Sequence, residues 1–454
     1  MEGRNYGGIN LGGEMTNGKP KPNESLETKL SRIMLLSNKN PEKEFKWLMP
    51  HFNKENLISC FNALDGKKAV GIDDKTKKEY EENLEENIEN LISRMKTMSY
   101  RPMPVKEVLI PKEGKGNGMR PLGISCIEDK IVQSLTAKIL NAIYDPIFVD
   151  KSYGFRPGRS CHDAVKAAQN YLMQNHCEIV IDVDLKNFFG KIDHKVLTEI
   201  LRIKIKDEKF IRYVVRMLKA GVLSEGALKV SEEGSPQGNI ASPILSNIFA
   251  HYVIDIWFRD VVKKHTRGSC EFFRYADDIC ICCRYRKDAE RIRKALGQRL
   301  EKHCLMLNQD KTKFVRFNKW TYGKGVKQET FDFLGFTFYI AKSRKGYIVV
   351  KVKTAMKRLK SKLEKVKMWC RSNRHKGKLR ELWKRFCSKL RGHYQYYGVT
   401  FNTESMENFR REAVRIFFKW MNRRSQRRSF DWDKFNKFME RFPLPKLRIH
   451  HRLF

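Results

Sequence analysis

The chain has 454 residues, with Lys+Arg 91 against Asp+Glu 52 and a formal net charge of +39. Hydrophobic residues at 41% exclude a wholly disordered chain and allow about two or three domains with a packed core. So large a positive excess repels itself unless a polyanion neutralises it, and nucleic acid fits that need better than a membrane, because no apolar run approaches the ~18 residues of a span.

Taken in chain order, residues 1–25 are rich in Gly, Asn and Pro and read as a flexible tail. Apolar residues recur at helical spacing from Leu26 to Leu64, in short helices. Tyr80, Leu84, Ile88, Leu91, Ile92 and Met95 form one face of a further helix. Arg101-Pro102-Met103-Pro104 ends that pattern, and Val105 to Pro111 reads as a strand before a loop or hairpin marked by Gly114, Gly116 and Gly118. Asp129 to Ile143 is helical again. From Glu178 to Leu185 the residues alternate, with Ile179, Ile181, Val183 and Leu185 on one face and Val180, Asp182 and Asp184 on the other. A turn at Gly234-Ser235-Pro236-Gln237-Gly238 leads into a helix expected to bury Ile244, Leu245, Ile248, Phe249, Tyr252, Ile256 and Trp257. Asp288 to His303 is a basic amphipathic helix, and Phe331 to Ile340 and Tyr347 to Val352 read as strands. Near Val352 the composition becomes helical, basic and aromatic. No acid occurs between Val366 and Arg380, while Lys367, Arg371, Arg374, Lys376, Lys378 and Arg380 do, a density of like charge that calls for a polyanion. Cys 11 without two paired CxxC units argues against a zinc ribbon or a disulfide framework. With no signal-peptide core at the N-terminus, the expected location is reducing and cytoplasmic, with nucleoid association. Cys280, Cys282 and Cys283 read as small buried apolar residues.

Tyr275-Ala276-Asp277-Asp278 carries the chemistry. It interrupts two β-prone runs, Phe272 to Tyr275 and Ile279 to Cys282, which predicts a hairpin with adjacent carboxylates at its apex. Acids held that close need cations or metals. Asp184, at the end of its strand, supplies a third. Carboxylates on neighbouring strands make a hard-oxygen site suited to Mg²⁺, and two such ions ~3.5–4 Å apart clamp the attacking and leaving oxygens of phosphoryl transfer.

Tyr275 to Asp278 resembles the signature of reverse transcriptases, and the order of motifs resembles those encoded by group II introns. The collinear pieces are Ile110-Pro111-Lys112, Arg120 to Ile124, Ser152-Tyr153-Gly154-Phe155-Arg156-Pro157-Gly158-Arg159-Ser160, Asp182 to His194, Gly234 to Gly238, Tyr275 to Asp278, Leu307 to Lys313 and Phe333-Leu334-Gly335-Phe336. The resemblance implies an α+β fold, a right-hand polymerase. Fingers with an N-terminal extension span residues 26–175, interleaved with a palm at 176–345, and a helical thumb or maturase domain spans 346–454. It implies that Asp184 and Asp277 ligate two Mg²⁺ ions, with Mn²⁺ as a substitute. Asp278 would be a weaker third acid, and the Leu185 carbonyl would also reach a metal. Alternation alone does not separate Asp182 from Asp184. Phe189, five residues on, selects Asp184 by the motif, and Asp182 reads as a salt-bridged structural acid.

The same resemblance makes Phe189 a steric gate against the ribose 2′-hydroxyl, with Phe188 in the core. It makes Lys112 and Arg120 a clamp on the incoming triphosphate and sets Gln237 and Lys311 near the nucleotide, Lys311 being equally readable as a solvent-facing lysine. Arg156 and Arg159 are template-backbone contacts or structural links. Lys367, Arg371, Lys378 and Arg391 face nucleic acid, Arg391 within Leu390 to Gly398, whose aromatics read as core. The partners implied are an RNA template, its own intron RNA above all, a DNA or RNA primer, and deoxynucleoside triphosphates. Gly190 and Asn239 depart from the family pattern without removing a ligand, and no HNH-type nuclease module with Cys pairs follows the thumb, which implies no target cleavage. Rival readings are an RNA-binding splicing maturase without polymerase activity, and a domesticated enzyme of phage defence.

Overall fold

The computed structural model describes residues 25–111, 118–224, 227–229, 232–234, 238–424 and 431–453; the expected tail lies outside them but for Ser25. The chain opens with helices Leu26–Lys39, Lys54–Asn62, Lys77–Glu82 and Leu84–Lys96. Ser25, Asn53 and Thr76 start the first three by accepting hydrogen bonds from the N–H groups of Thr28, Asn56 and Glu79, which satisfies donors that a helix start otherwise leaves unpaired. The single helix expected through Tyr80 and Met95 is broken at Asn83, whose φ of −123° and ψ of 41° leave the helical region. Tyr80, Ile88, Leu91 and Met95 still enter one core.

The strands are β1 (Val105–Pro111), β2 (Met119–Ile124), β3 (Ile179–Val183), β4 (Val222–Ser224), β5 (Ala227–Lys229), β6 (Cys270–Tyr275), β7 (Asp278–Cys283), β8 (Lys313–Arg316), β9 (Phe331–Phe333), β10 (Phe336–Lys342) and β11 (Ile348–Thr354). They form three sheets, in the orders β2-β1-β4-β5, β6-β7-β3-β8 and β11-β10-β9. Pairing is antiparallel except between β1 and β4.

The alternation read along β3 sorts its side chains into two cores. Ile179, Ile181 and Val183 join Ile279 and Ile281 against the helix Arg286–Glu301. Val180 joins Cys280 and Cys282, with β9 to β11 and the helix Cys161–Gln174. The central sheet is therefore covered on both faces, and its cysteines pack as small apolar groups; burial pushes the thiols of Cys282 and Cys283 up.

Two expectations are corrected. The strand read from Phe331 to Ile340 is a hairpin, because Leu334 (φ +51°) and Gly335 (φ +82°) are both left-handed, as a tight two-residue turn requires. The helix Ser242–Ala250 continues through π turns at His251–Asp255 and Phe258–Val262. The wider turns rotate the buried face, so Val253, Ile254, Phe258 and Val262 are buried while Tyr252, Ile256 and Trp257 are half-buried.

The last helices are Met356–Asn373, Leu379–Tyr397, Thr403–Met421 and Trp432–Arg441. They close on their own core, where Trp383 meets Phe417 and Phe435 edge-on at ring distances of 5.1 and 5.8 Å. The boundary expected at residue 346 falls inside the β10–β11 hairpin; the helical cluster begins at Met356. Among the described residues no helix is long and apolar enough to cross a membrane.

Candidate active site

The β6–β7 hairpin closes with Tyr275 paired to Asp278, leaving Ala276 and Asp277 as its turn. Ala276 takes a φ of +58°, a shape rare for a residue with a Cβ and therefore held by its surroundings. The segment Ser152 to Gly154 runs along the edge of β6. Tyr153 N–H donates to the Arg274 carbonyl at 2.8 Å, and Arg274 N–H donates to the Lys151 carbonyl at 2.9 Å. Gly154 is needed there, because a Cβ would stand 2.4 Å from the Ala276 nitrogen.

Beneath the turn lies the fully buried guanidinium of Arg274. Its Nε and Nη2 donate to the two carboxylate oxygens of Asp255 at 2.7 and 2.5 Å. Nη2 also donates to Ser152 Oγ at 2.7 Å, and Nη1 donates to Asn247 Oδ1 at 3.0 Å and to the Ala276 carbonyl at 3.2 Å. Burial pushes Asp255 up and the Arg274 bonds pull the other way. His251, whose Nδ1 lies 3.9 Å from Asp255, is held down to about 3 by burial and by Arg274, so it is neutral and Arg274 is the counter-ion. This hub went unread in the sequence, because nothing distinguishes Arg274 among 91 basic residues until its partners are in place.

Asp184 follows β3 and is tied down by the segment Leu307 to Lys313. Leu185 and Leu307 form a bridge. The Asp184 carbonyl accepts from Asn308 N–H at 2.9 Å, its Oδ2 accepts from Asn308 Nδ2 at 2.8 Å, and its own N–H donates to Thr312 Oγ1 at 3.3 Å. Lys311 is exposed with its Nζ 3.9 Å from Asp184 Oδ2; it is both solvent-facing and beside the site.

The acids feel one another. Lost hydration, then the charges of Asp277, Asp182 and Asp184, push Asp278 up to about 6 against the pull of Arg358. Asp278 is exposed, but the protein around it thins its hydration. Asp277 is also pushed up, by lost hydration and by Asp184. Asp182 rises to about 6 through lost hydration, with Asp184 and Asp332 adding to it and Lys313 opposing. Asp182 makes no ion pair within 4 Å among the described residues, so the salt-bridged role expected for it is corrected: Lys313, opposite it on β8, acts only at longer range.

Phe189 stands on a short 3-10 turn, Phe188–Gly190, entered through Asn187 in the left-handed region (φ 50°, ψ 50°). Phe188 is buried and Phe189 half-buried, their rings crossing at 71° and 5.4 Å. A side chain at Gly190 would crowd Asn187, with a Cβ 2.4 Å from its Nδ2. Arg120 is exposed on β2 opposite Ile110. Lys112 and Gln237 lie outside the described residues. Gly238, beside Gln237, has a φ of +116° and touches β2 so closely that a Cβ would meet the Gly123 carbonyl at 2.1 Å. Asn239 is buried and caps the next turn, its Oδ1 accepting from Ala241 N–H at 2.8 Å.

Of the two arginines left open, Arg156 takes the structural role, and the template contact is corrected for it. It is buried, and its nitrogens donate to Asp145 Oδ1 at 2.6 Å and to the carbonyls of Asp145, Val149 and Ser152 at 2.8 to 3.0 Å, so four of its five N–H donors serve the protein's own chain. Arg159 bonds Asp150 through its carbonyl at 2.5 Å and its carboxylate at 3.1 Å. Lys367, Arg371, Lys378 and Arg391 are exposed, with Lys367 3.0 Å from Glu364. Tyr394 and Tyr397 are core, as expected, and Tyr396 donates to the Leu334 carbonyl at 3.0 Å. A cavity of about 610 Å³ separates Tyr275 and Asp278 from Arg358, Lys362, Lys365 and Lys389 of the C-terminal helices.

Among the described residues no three His, Cys, Asp or Glu side chains are already gathered into a metal cage. Mg²⁺ does not need one, since it retains waters and takes substrate phosphates as ligands. Carboxylates that raise one another's affinity for protons are a donor set that fits a divalent cation.

A hairpin acid pair facing a third acid on a neighbouring antiparallel strand is the arrangement of a nucleic-acid polymerase. Residues 110–338, just over half of the chain, match the family model described as reverse transcriptase (RNA-dependent DNA polymerase), and the chain belongs to that family. It is 35% identical over 246 residues to the group II intron-encoded protein LtrA of Lactococcus lactis subsp. cremoris, covering 53% of this chain and 40% of that protein. It is 30% identical over 312 residues to protein YkfC of Escherichia coli strain K12, covering 62% of this chain and 78% of that one. A 91 kDa protein in the cob intron of Schizosaccharomyces pombe is 40% identical over 164 residues, 36% of this chain and 20% of that one. The aligned part thus spans about 40% of the length of LtrA. LtrA and the cob intron protein point, as the motif order does, to the intron-encoded branch of the family.

Proposed function

We propose that this protein is an RNA-directed DNA polymerase of the group II intron type, which extends a DNA or RNA primer along an RNA template and also binds its own intron RNA to assist splicing and mobility. One observation carries the reading: the turn bearing Asp277 and Asp278 closes β6 and β7, while Asp184, held by Asn308 and Thr312, follows β3, the strand paired to β7. Asp184 and Asp277 would hold two Mg²⁺ or Mn²⁺ ions with the Leu185 carbonyl, Asp278 contributing more weakly. When bound, the ions supply activation of the primer 3′-hydroxyl and stabilisation of the leaving pyrophosphate.

The rest is positioning by the chain itself. Asn308 and Thr312 orient Asp184, and Arg274 anchors the turn that carries Asp277. The half-exposed ring of Phe189 would meet a ribose 2′-hydroxyl and so admit deoxynucleotides. Arg120, with Lys112 and Gln237, would hold the triphosphate through charge-assisted bonds. In this reading the fold is a right hand, with a palm ending at β11, fingers built on the β1–β2 hairpin, and a thumb beginning at Met356. The basic wall facing Asp278 would follow the phosphates of the primer–template duplex, and Arg371, Lys378 and Arg391 those of structured RNA. A maturase without polymerase activity is the rival; the intact acids and the open Phe189 ring favour the polymerase. Asp277→Ala should abolish primer extension and leave RNA affinity within about twofold, since one surface charge alters binding little beside the many phosphate contacts. Continued DNA synthesis by that variant would overturn the assignment.

A further inference from the structure

Phe155 is an aromatic residue in a place that burial does not explain. Its backbone is left-handed, with a φ of +55°, a conformation that bulky side chains rarely adopt and that persists only where the surroundings enforce it. The residue is nonetheless 50% exposed, so the strain does not serve to place an apolar group in the core. The flanking residues leave the backbone no freedom to relax. Tyr153 is bonded to β6, the Gly154 carbonyl accepts from Asn247 Nδ2 at 2.6 Å, Gly154 touches the Ala276 backbone, and Arg156 is anchored in a buried site by four hydrogen bonds. The chain therefore presents the ring rigidly.

What the ring meets is informative. Its centroid lies 6.4 Å from that of Phe189, at 77°, and 6.4 Å from that of Tyr275, at 43°. Edge-on contact of this kind is a favoured aromatic geometry. Phe189 also meets Phe188, at 5.4 Å and 71°. Phe189 thus contacts both a buried ring and an exposed one, and the exposed one is tied to the catalytic turn through Tyr275.

We propose that Phe155 is a positioning residue for sugar selection: its ring holds the Phe189 ring upright against the sugar of the incoming nucleotide, and so sets how strictly ribonucleotides are excluded. The inference rests on the reading of Phe189 as the steric gate and adds the residue that keeps the gate stiff. A gate ring without this brace tilts away from a 2′-hydroxyl at little cost, whereas a braced one must clash with it. Losing the brace therefore raises ribonucleotide use while barely touching deoxynucleotide use.

The test is single-nucleotide insertion by the full-length protein on an RNA template with a DNA primer. The ratio of kcat/KM for a deoxynucleotide to that for its ribonucleotide is measured for Phe155→Ala, Phe155→Tyr, Phe189→Ala and the double alanine variant. Phe155→Ala should lower the ratio on the order of tenfold, the scale at which loss of a close apolar contact alters discrimination. Phe155→Tyr, which keeps the ring, should restore it. The double variant should be no more permissive than Phe189→Ala, because residues acting through one another are not additive. A merely structural Phe155 would lower both kcat/KM values together and leave the ratio alone, and that result overturns the inference. So does an additive double variant. If Phe189→Ala itself leaves the ratio unchanged, the gate reading has failed and the brace falls with it; a permissive Phe189→Ala beside an unaltered Phe155→Ala condemns the brace alone.

Discussion

Replacing Arg274 with Met tests whether the buried ion pair beneath the catalytic turn orients it. The substitution leaves Asp255 fully buried without its counter-ion, and takes donors from Ser152 Oγ, Asn247 Oδ1 and the Ala276 carbonyl. Breaking a buried pair from one side costs about 3–5 kcal/mol, much of it the penalty of the charge left behind. Each orphaned neutral acceptor adds about 1–3 kcal/mol where no water replaces the donor. The expected loss is thus a large part of the ~5–15 kcal/mol that holds a domain folded, and should show as a much lower midpoint of urea unfolding with little change in slope. His251 offers no rescue, since it is held neutral. The double variant Arg274→Met with Asp255→Leu removes both charges and should recover most of the lost stability, as apolar replacements of buried pairs generally do. It should not recover primer extension, because the Ala276 carbonyl still lacks its donor and the left-handed turn its anchor. An unshifted midpoint in the single variant would refute the energetic argument, and full extension activity in the double would refute the positioning argument.

The acids and the basic helices give two further predictions. Asp278 and Asp182 are held near 6 in the folded chain, against about 4 for an unfolded carboxylate. The folded state therefore binds the extra proton, so the penalty is absent below about pH 4, grows as pH rises, and is complete above the folded value. In metal-free buffer Asp278→Asn should raise the unfolding midpoint at pH 7 and not at pH 4, and Mg²⁺ should stabilise the parent more at pH 7 than at pH 5; equal effects at both would refute the raised proton affinity that lost hydration and the neighbouring acids give Asp278. RNA affinity measured across salt should fall steeply, with neutralisation of Arg371, Lys378 or Arg391 reducing the slope of log K against log salt by about one each; a flat dependence would contradict the phosphate-contact reading of these helices.

What could be read from the residues alone was what is local along the chain. The β3 alternation sorted its side chains into the two cores they occupy, and the hairpin at Tyr275 to Asp278 follows from β-prone runs on either side of a turn. Where the reading failed, the deciding contact lay elsewhere. Phe-Leu-Gly-Phe at 333–336 scans as one strand because leucine seldom turns a chain, yet Leu334 goes left-handed where Tyr396 donates to its carbonyl from 62 residues away. The helix after Gly238 was given a period of 3.6, whereas its π turns bring Asp255 inward to meet Arg274. Arg274 was lost among the basic residues, and Arg156 stayed open between template and structure, because a count of charge describes the surface; which arginine goes inside depends on an acid and carbonyls waiting there. The same holds for the metal-ligand candidates. Asp182 and Asp184 share a strand face, but only Asp184 is dressed by Asn308 and Thr312, 124 and 128 residues on. A motif marks where an acid stands in the chain; its orientation, and hence its chemistry, is decided by partners from distant sequence. This is why the substitutions with most to reveal about this site are at Arg274 and Phe155, two residues that are not acids.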